Sequence, residues 1–412
     1  MTSRMTIRVA QISCGTEYSG VQKEIEEAAR LVDMEIVVPD VSLSDIRNVE
    51  PYIGFLPASN GLKMAIARAK SVIDGNCIVD GAIVLTCFRC AEGSIVRHLT
   101  RRMLQQKLRI PIITYSFTER TSVGSLLLRF EALSNMIRHR ALLAGTKHKG
   151  LTLGIDSGST MSKAVLMEDG EVIGCSWLPT TDVLKAGEKV LEDLFKKTGI
   201  SRGEVDAVGT TGYGRTILKI FFDAKIALDE VTVCAKGATY LANRQEGDSL
   251  VIDIGGTDNK ATTTFNGIPD GFSLGGICAG ASGRFLEVAA ARLGVSIETL
   301  GQLALKGDPH KVPMNAYCIV FGMQDIVASL ARGSHMEDVA AAACYSVAEQ
   351  FFEQQLQEVD VRKPVIQIGG TSLVEGLTKA LGDVLKVEVT VPKYSQYAGA
   401  VGIAVLTSNI TE

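Results

Sequence analysis

Two aspartates in this chain of 412 residues occupy matching places in the sequence. Asp156 ends the apolar run Leu151-Thr-Leu-Gly-Ile and is followed by Ser157-Gly158-Ser159-Thr160. Asp253 ends Leu250-Val-Ile and is followed by Ile254-Gly255-Gly256-Thr257. A carboxylate at a strand end, with a glycine turn and hydroxyls beyond it, can hold a phosphate and its Mg2+. Backbone N–H groups and hydroxyls meet the phosphate oxygens, glycine permits their close approach, and Mg2+ takes one or two carboxylates while keeping most of its waters. Gly154, Gly158, Gly255 and Gly256 fit the first need, Ser157, Ser159, Thr160 and Thr257 the second, and Lys163 and Lys260 offer charge. Asp258 joins Asp156 and Asp253 as a catalytic candidate. A third loop, Gly369-Gly370-Thr371, follows the strand-like Val365–Ile368 and precedes a helical pattern, a place for the nucleoside end. A single glycine loop is a common turn. Three loops with matched aspartates predict binding of ATP or ADP with Mg2+.

A second chemistry lies in the nine cysteines. Cys278, in Gly275-Gly-Ile-Cys-Ala-Gly280, precedes a helical pattern, and Cys318, in Tyr317-Cys-Ile-Val-Phe-Gly322, precedes another. Exposed N–H groups and the positive dipole end of a helix stabilise a thiolate there. Two cysteines do not complete a 4Fe-4S site, which usually takes four, but a two-fold dimer would bring four to one cluster. The bland reading is a pair of small core residues. Near the N-terminus, Cys14 follows one strand pattern, and Cys87 and Cys90 follow another. A CxxC pair fits zinc or redox-active thiols as well as a cluster. Cys77, Cys175, Cys234 and Cys344 read as packing residues.

The elements that must position these groups fall into two parts. Met5–Ile12, Met34–Val38, Gly81–Thr86 and Ile110–Tyr115 read as buried strands, with helical patterns between them such as Ile95, Leu99 and Met103. This alternation predicts a parallel α/β domain over residues 1–148. A polar link at Gly145–Gly150 precedes residues 149–412, where the two Asp motifs open a pseudo-repeat. Each is followed by a hairpin, turning at Asp169-Gly170 in the first copy and at Asn266-Gly267 in the second. The first 150 residues hold 20 basic and 14 acidic side chains, whereas the whole chain has net charge −4. Residues 89–140 are basic without any nucleic-acid-binding motif, so that stretch reads as a solvated face. With no apolar run of about 18 residues, no cleavable leader and few cysteines for its length, the expectation is a cytoplasmic protein with no membrane span and no nucleic-acid partner.

The three loops occur in the order seen in the actin, sugar-kinase and heat-shock ATPase superfamily, which residues 149–412 resemble. More specifically, Gly154–Val165, Gly209–Arg215 (GTTGYGR), Asp253–Lys260, Cys278–Glu287 (CAGASGRFLE) and Cys318–Phe321 resemble the BadF/BadG/BcrA/BcrD-type ATPases, activators of 2-hydroxyacyl-CoA dehydratases and benzoyl-CoA reductases. That resemblance implies a homodimer in which Cys278 and Cys318 of each chain hold one bridging 4Fe-4S cluster. It makes Asp156 and Asp253 the Mg2+-ATP carboxylates and puts Gly369 and Gly370 at the adenosine. It also implies an upstream reductant and a metalloenzyme acceptor. The chain departs from the family pattern at Thr257, where Gln is usual, and over Phe321-Gly-Met-Gln-Asp325. Residues 78–140 more faintly resemble the dehydratase component such activators reduce, in which a cysteine at the Cys87 position ligates a cluster. Cys87 and Cys90 are therefore candidates for a second one. The fused arrangement resembles the methanogenesis marker protein 15 family and implies reductive activation of methyl-coenzyme M reductase. A small-molecule kinase on the same fold and a nucleotide-gated binding protein are the alternatives.

Overall fold

The computed structural model describes residues 6–88, 90–275, 282–315 and 318–410. The chain divides into two compact units, Met1–Ala141 with Asp270–Phe272, and Leu142–Pro269 with Ser273–Glu412.

In the first unit, β1 (Ile7–Ser13), β2 (Met34–Val37), β3 (Gly81–Cys87) and β4 (Ile112–Phe117) form a parallel sheet in the order β2-β1-β3-β4. Parallel neighbours need crossovers, and helices supply them. These are α1 (Val21–Leu31); then α2 (Leu43–Arg47), α3 (Glu50–Ile53) and α4 (Asn60–Ile73); then α5 (Ala91–Lys107), with α6 (Val123–Arg138) and α7 (Arg140–Ala144) following β4. The four expected strands are present with ends displaced by one or two residues. Val9, Ile12, Ile83 and Leu85 are fully buried because helices cover both faces of the sheet. The helix read from Ile95, Leu99 and Met103 is α5, but its core stripe runs through Val96, Arg97, Thr100 and Leu104, leaving Ile95 56% exposed. Three polar residues on the buried face, Arg97, Thr100 and Arg101, disguised it.

The second unit holds two five-stranded sheets of one plan. β5 (Leu151–Ser157), β6 (Met161–Glu168), β7 (Glu171–Pro179), β8 (Ala207–Gly212) and β9 (Ile226–Ala227) lie in the order β7-β6-β5-β8-β9. β10 (Asp248–Ile254), β11 (Asn259–Phe265), β12 (Ile268–Leu274), β13 (Val365–Ile368) and β14 (Val389–Thr390) lie in the order β12-β11-β10-β13-β14. The pseudo-repeat read from the two Asp motifs is therefore a repeat of connectivity. Its hairpins turn at Asp169-Gly170 (φ 45° and 100°) and Asn266-Gly267 (φ 52° and 70°), the geometry that matches strand twist.

Helices α8 (Val183–Thr198), α9 (Arg215–Phe221) and α10 (Glu230–Leu241) belong to the first lobe. Four more, α11 (Gly283–Leu293), α12 (Ile297–Ala304), α13 (Ile319–Ala331) and α14 (Met336–Phe351), join β12 to β13; α15 (Glu375–Leu385) and α16 (Ala398–Ser408) follow. Every residue of α16 is buried, as a helix apolar all round must be. It packs on β5, β6, β8 and α10 at backbone distance, so a Cβ on Gly154 would overlap the Ala400 carbonyl and one on Gly237 the Ala398 carbonyl. Gly154 is thus a packing glycine under α16, not a phosphate-loop glycine. Among the described residues no helix is long and apolar enough to cross a membrane.

Candidate functional site

Asp156 and Asp253 stand near the carboxyl ends of β5 and β10, the equivalent central strands of the two lobes, and both are buried, at 5% and 7% exposure. Each is closely backed by a glycine in the left-handed region at the end of the neighbouring parallel strand. A Cβ on Gly212 (φ 84°) would stand 2.7 Å from Asp156 Oδ1, and one on Gly369 (φ 86°) 2.5 Å from Asp253 Oδ1. Gly369, expected at the nucleoside, thus also seats a carboxylate, and Gly212 is its counterpart. The two glycine loops expected to hold phosphate meet at their tips. Ser159 Oγ and Thr257 Oγ1 are 3.2 Å apart, and a Cβ on Gly256 would reach within 3.1 Å of Thr160 Oγ1.

Not every expected contact survives. Ser157 is fully buried, its hydroxyl 3.4 Å from that of Ser162. Thr371 is 4% exposed and donates to the Ile254 carbonyl at 2.7 Å, which locks β10 to the third loop. Both hydroxyls serve the fold, because the hairpin and the strand–turn junction bury them. Gly158 lies in the turn of the first hairpin, its N–H on the Met161 carbonyl, and the second loop is closed likewise by Gly255 N–H on the Asp258 carbonyl. Gly370 has open space on its Cα side.

Charge concentrates between the carboxylates. Lys163 Nζ lies 3.9 Å from Asp156 Oδ2, while Lys260 Nζ lies 2.9 Å from Glu230 Oε1, 2.9 Å from Asp258 Oδ2 and 3.6 Å from Asp253 Oδ2. Burial pushes the Asp156 carboxyl up, Lys163 opposes this, and the Asp253 carboxylate adds to it. Burial likewise lifts Glu230 to about 7 against the pull of Lys260. Burial alone would lower the Lys260 ammonium, yet Glu230, Asp253 and Asp258 hold it well above the ordinary lysine range. Burial would raise Asp258, but the neighbouring Lys260 holds it below its usual value.

Glu230 was not foreseen, and Cys234 was read as packing alone. The two sit one turn apart on α10, and their ligand atoms gather with that of Asp253 within 4.8 Å of one another. A glutamate in the first turn of a helix normally reads as a partner of the helix dipole, so the sequence carried no signal for it. Asp156 Oδ1 is buried and has no hydrogen-bond partner, an orphaned hard oxygen of the kind a hydrated Mg2+ satisfies. The carboxylates present therefore fit that ion.

Cys318 is a free, partly buried thiol at the N-cap of α13, and Cys278 lies outside the described residues. The Cys318 N–H donates to Asn315 Oδ1 at 2.8 Å, and the Asn315 N–H donates to Asp325 Oδ2 at 2.8 Å. Asp325, one of the departures from the family pattern, thus holds the loop that presents the cysteine. A free thiol above a helix N-terminus suits a cluster ligand. This end of α13 is joined to the second glycine loop. Gly283 and Arg284, in the first turn of α11, donate to the carbonyls of Gly255 and Gly256 at 2.9 and 3.0 Å. Further along α11, the Phe285 ring lies against Gly322, where a Cβ would come within 3.1 Å of it.

In the first unit, Cys14 follows β1, Cys87 ends β3, and Cys90 caps α5, its Sγ accepting from the Gly93 N–H at 3.1 Å. Cys344 is buried in the second unit's core, which pushes its thiol up to about 12.

Residues 153–407 match the BadF/BadG/BcrA/BcrD ATPase family. The uncharacterized protein MJ0800 of Methanocaldococcus jannaschii is 53% identical over 98% of both chains. The 2-hydroxyisocaproyl-CoA dehydratase activator of Clostridioides difficile is 31% identical over 61% of this chain and 93% of its own length. Among solved structures, component A of (R)-2-hydroxyglutaryl-CoA dehydratase from Acidaminococcus fermentans superposes with a TM-score of 0.58 at 29% identity, over 64% of this chain and 99% of that one. The Clostridium difficile activator with bound ADPNP superposes with the same score at 28% identity, over 63% and 95%. The fold is the α/β, two-lobed actin-like ATPase type expected from the loops, preceded by a parallel α/β unit. With twin carboxylates beside paired glycine loops and the family match over residues 153–407, this chain belongs to the BadF/BadG/BcrA/BcrD ATPase family.

Proposed function

We propose that the chain is an ATP-dependent electron-transfer activator, working as a homodimer that passes low-potential electrons from an upstream reductant to a partner metalloenzyme. The observation that carries this reading is the short route from nucleotide to cysteine. The second phosphate loop is hydrogen-bonded to the first turn of α11, and Phe285 of α11 lies against Gly322 in the helix that Cys318 caps. A loop that shifts when the terminal phosphate leaves therefore has a packed path to the thiol. In this reading Asp156 and Asp253 hold Mg2+ through its waters, the Ser159–Thr160 and Gly255–Thr257 loops hold the phosphates, and Gly369 and Gly370 border the adenosine. Lys163, Lys260 and Asp258 balance the charge. Glu230, with its pKa near neutrality, is the carboxylate suited to take a proton from the attacking water. A 4Fe-4S cluster held by Cys278 and Cys318 of two chains supplies a one-electron carrier. The relatives named as dehydratase activators support the activator role; methyl-coenzyme M reductase as the acceptor rests on the resemblance to the methanogenesis marker protein 15 family. Residues 1–148, in the same reading, act as a dehydratase-like acceptor portion fused to the ATPase of residues 149–412.

The test is anaerobic purification with iron analysis and EPR, with and without ATP. Cys318→Ala should lose the bridging signal, about two irons per chain, while ATP binding persists. Full ATPase activity with no iron change between wild type and Cys318→Ala overturns the proposal.

A further inference from the structure

Cys234 and Cys344 are both buried thiols, but their company differs. Cys344 lies in the apolar core of the second unit, as a packing cysteine should. Cys234, 6% exposed, meets Val251 and Ile368 in a small apolar cluster, yet its sulfur also lies within 4.8 Å of a carboxylate oxygen of Glu230 and one of Asp253. The fold builds this set from both lobes. Glu230 and Cys234 stand four residues apart on one face of α10, whose first turn is fixed by Asp229 Oδ1 accepting from the Thr232 N–H at 2.9 Å. Asp253 comes from the end of β10.

Two further observations mark the space beside the sulfur as suited to a cation. Gly399 lies in the first turn of α16, where alanine would favour the helix by about 1 kcal/mol. Room explains the glycine, because a Cβ there would stand 2.7 Å from Asp156 Oδ2 and 3.3 Å from Cys234 Sγ. Asp156 thus borders the same space, and its other oxygen is buried without a hydrogen-bond partner. A cation also stands at this set already, since Lys260 Nζ is 2.9 Å from Glu230 Oε1 and 3.6 Å from Asp253 Oδ2. Asp258, 2.9 Å from the same ammonium and half exposed, keeps it paired when a stronger cation takes the other two carboxylates.

Mg2+ takes oxygen ligands, so the thiol makes this set selective for softer ions. Zinc bonds sulfur at about 2.3 Å and carboxylate oxygen at about 2.0–2.2 Å, which puts tetrahedral donors about 3.5 Å apart. Small side-chain shifts close the observed separations to that spacing. We propose that Glu230, Cys234 and Asp253 form a site for a thiophilic divalent cation of the zinc class, distinct from the all-oxygen Mg2+ site, with a fourth position open to water or a phosphate oxygen. On ligation the thiol proton passes to water, and no electron changes hands. The ion is an inhibitor of hydrolysis, because it takes Asp253 from Mg2+ and Glu230 from the attacking water. That consequence, unlike the binding itself, rests on the ATPase reading above.

The test titrates the full, reduced, chelator-treated chain with Cd2+, a zinc surrogate whose thiolate complexes absorb in the ultraviolet, in the presence of excess Mg2+. Cys234→Ser should remove one equivalent of cadmium-bound thiolate. Glu230→Gln, which keeps the thiol, should weaken that equivalent by about tenfold or more. Lys260→Met should tighten it, and Cys77→Ser, in the other unit, should leave it as in wild type. In a parallel assay, Zn2+ should inhibit ATP hydrolysis by wild type about tenfold more strongly than by Cys234→Ser, read as the ratio of activities with and without the ion. A Cys234→Ser titration identical to that of wild type overturns the proposal. So does unchanged affinity in Glu230→Gln, a band erased by Mg2+, or equal zinc inhibition of both proteins. A chain that binds cadmium at Cys234 but hydrolyses no ATP overturns the ATPase reading and leaves the metal site standing; hydrolysis without that equivalent does the reverse.

Discussion

Replacing Lys260 with Met removes an ammonium that lies within 4 Å of three carboxylates while keeping most of the side chain's volume. The lysine side chain is 6% exposed, and its Nζ is 2.9 Å from Glu230, 2.9 Å from Asp258 and 3.6 Å from Asp253. At an effective dielectric of about 20, these contacts are worth roughly 4.5–6 kcal/mol each of gross attraction. Most of that is offset by the desolvation of the lysine itself, and Asp258, whose side chain is 53% exposed, is largely screened by water. What remains is the cost of leaving Asp253 buried and Glu230 partly buried without their partner, roughly 3–5 kcal/mol. For a unit of this size the melting temperature should fall by about 10 °C in calorimetry without divalent ions.

Two further signatures separate this cause from loss of packing. Mg2+ should recover much of the loss, because a dication can stand in for the ammonium among the carboxylates. The deficit should also shrink toward pH 5.5. A carboxyl whose folded pKa is raised binds its proton more readily in the native state, so stability is lost as pH rises from the unfolded value of about 4.5 through the folded value. Glu230 is already near 7 with Lys260 present and rises further without it. A Lys260→Met protein that melts within about 2 °C of wild type, or whose loss is the same at pH 5.5 and 8 and indifferent to Mg2+, refutes the reasoning.

Asp156→Asn should leave the melting temperature unchanged or raise it, since it removes a carboxylate that burial disfavours, while Mg2+-dependent ATP hydrolysis falls by about 100-fold or more in a coupled assay. Gly322→Val should press on Phe285 and disconnect α11 from α13. ATP hydrolysis is then expected within about threefold of wild type and ATP-dependent reduction of the acceptor down by roughly tenfold. Gly237→Ala puts a methyl group onto the Ala398 carbonyl where α10 crosses α16 and should lower stability by roughly 1–3 kcal/mol in urea unfolding. Lys236 is buried, its Nζ donating to the carbonyls of Leu143 and Gly145 at 2.8 and 2.6 Å, and burial lowers it to about 8. The unfolded chain binds more protons between pH 8 and 10.5, so wild-type stability should rise with pH across that window, and Lys236→Met should flatten the rise.

The local grammar of the fold was readable because it is local. An apolar run ending in Asp and a glycine turn is a strand and loop wherever it occurs, and Asp169-Gly170 and Asn266-Gly267 demand hairpins through their backbone freedom alone. Repetition of that pattern made two lobes the economical architecture. The α5 stripe was misread because its buried face carries polar residues, among them Arg97, which a core accepts because its guanidinium donates to Thr86 Oγ1. Ser157 and Thr371 looked like phosphate contacts because a hydroxyl beside a glycine loop has no sequence mark of which way it points. Glu230 and Cys234 were invisible for a related reason. They gain their chemistry only from α10 being laid against β10, which brings residues from the first lobe's helix to Asp253 on the second lobe's central strand.

The sequence by itself determined the central strands with their loops and hairpins, the twin aspartates and the family, since each depends on residue type within a short window. Tertiary structure alone decided which groups share a charge network, which glycines serve packing, and how a phosphate loop reaches the helix capped by Cys318. Those depend on distances between segments remote in the chain, and a buried group's charge, hydrogen bonds and pKa are set by whatever the fold places beside it.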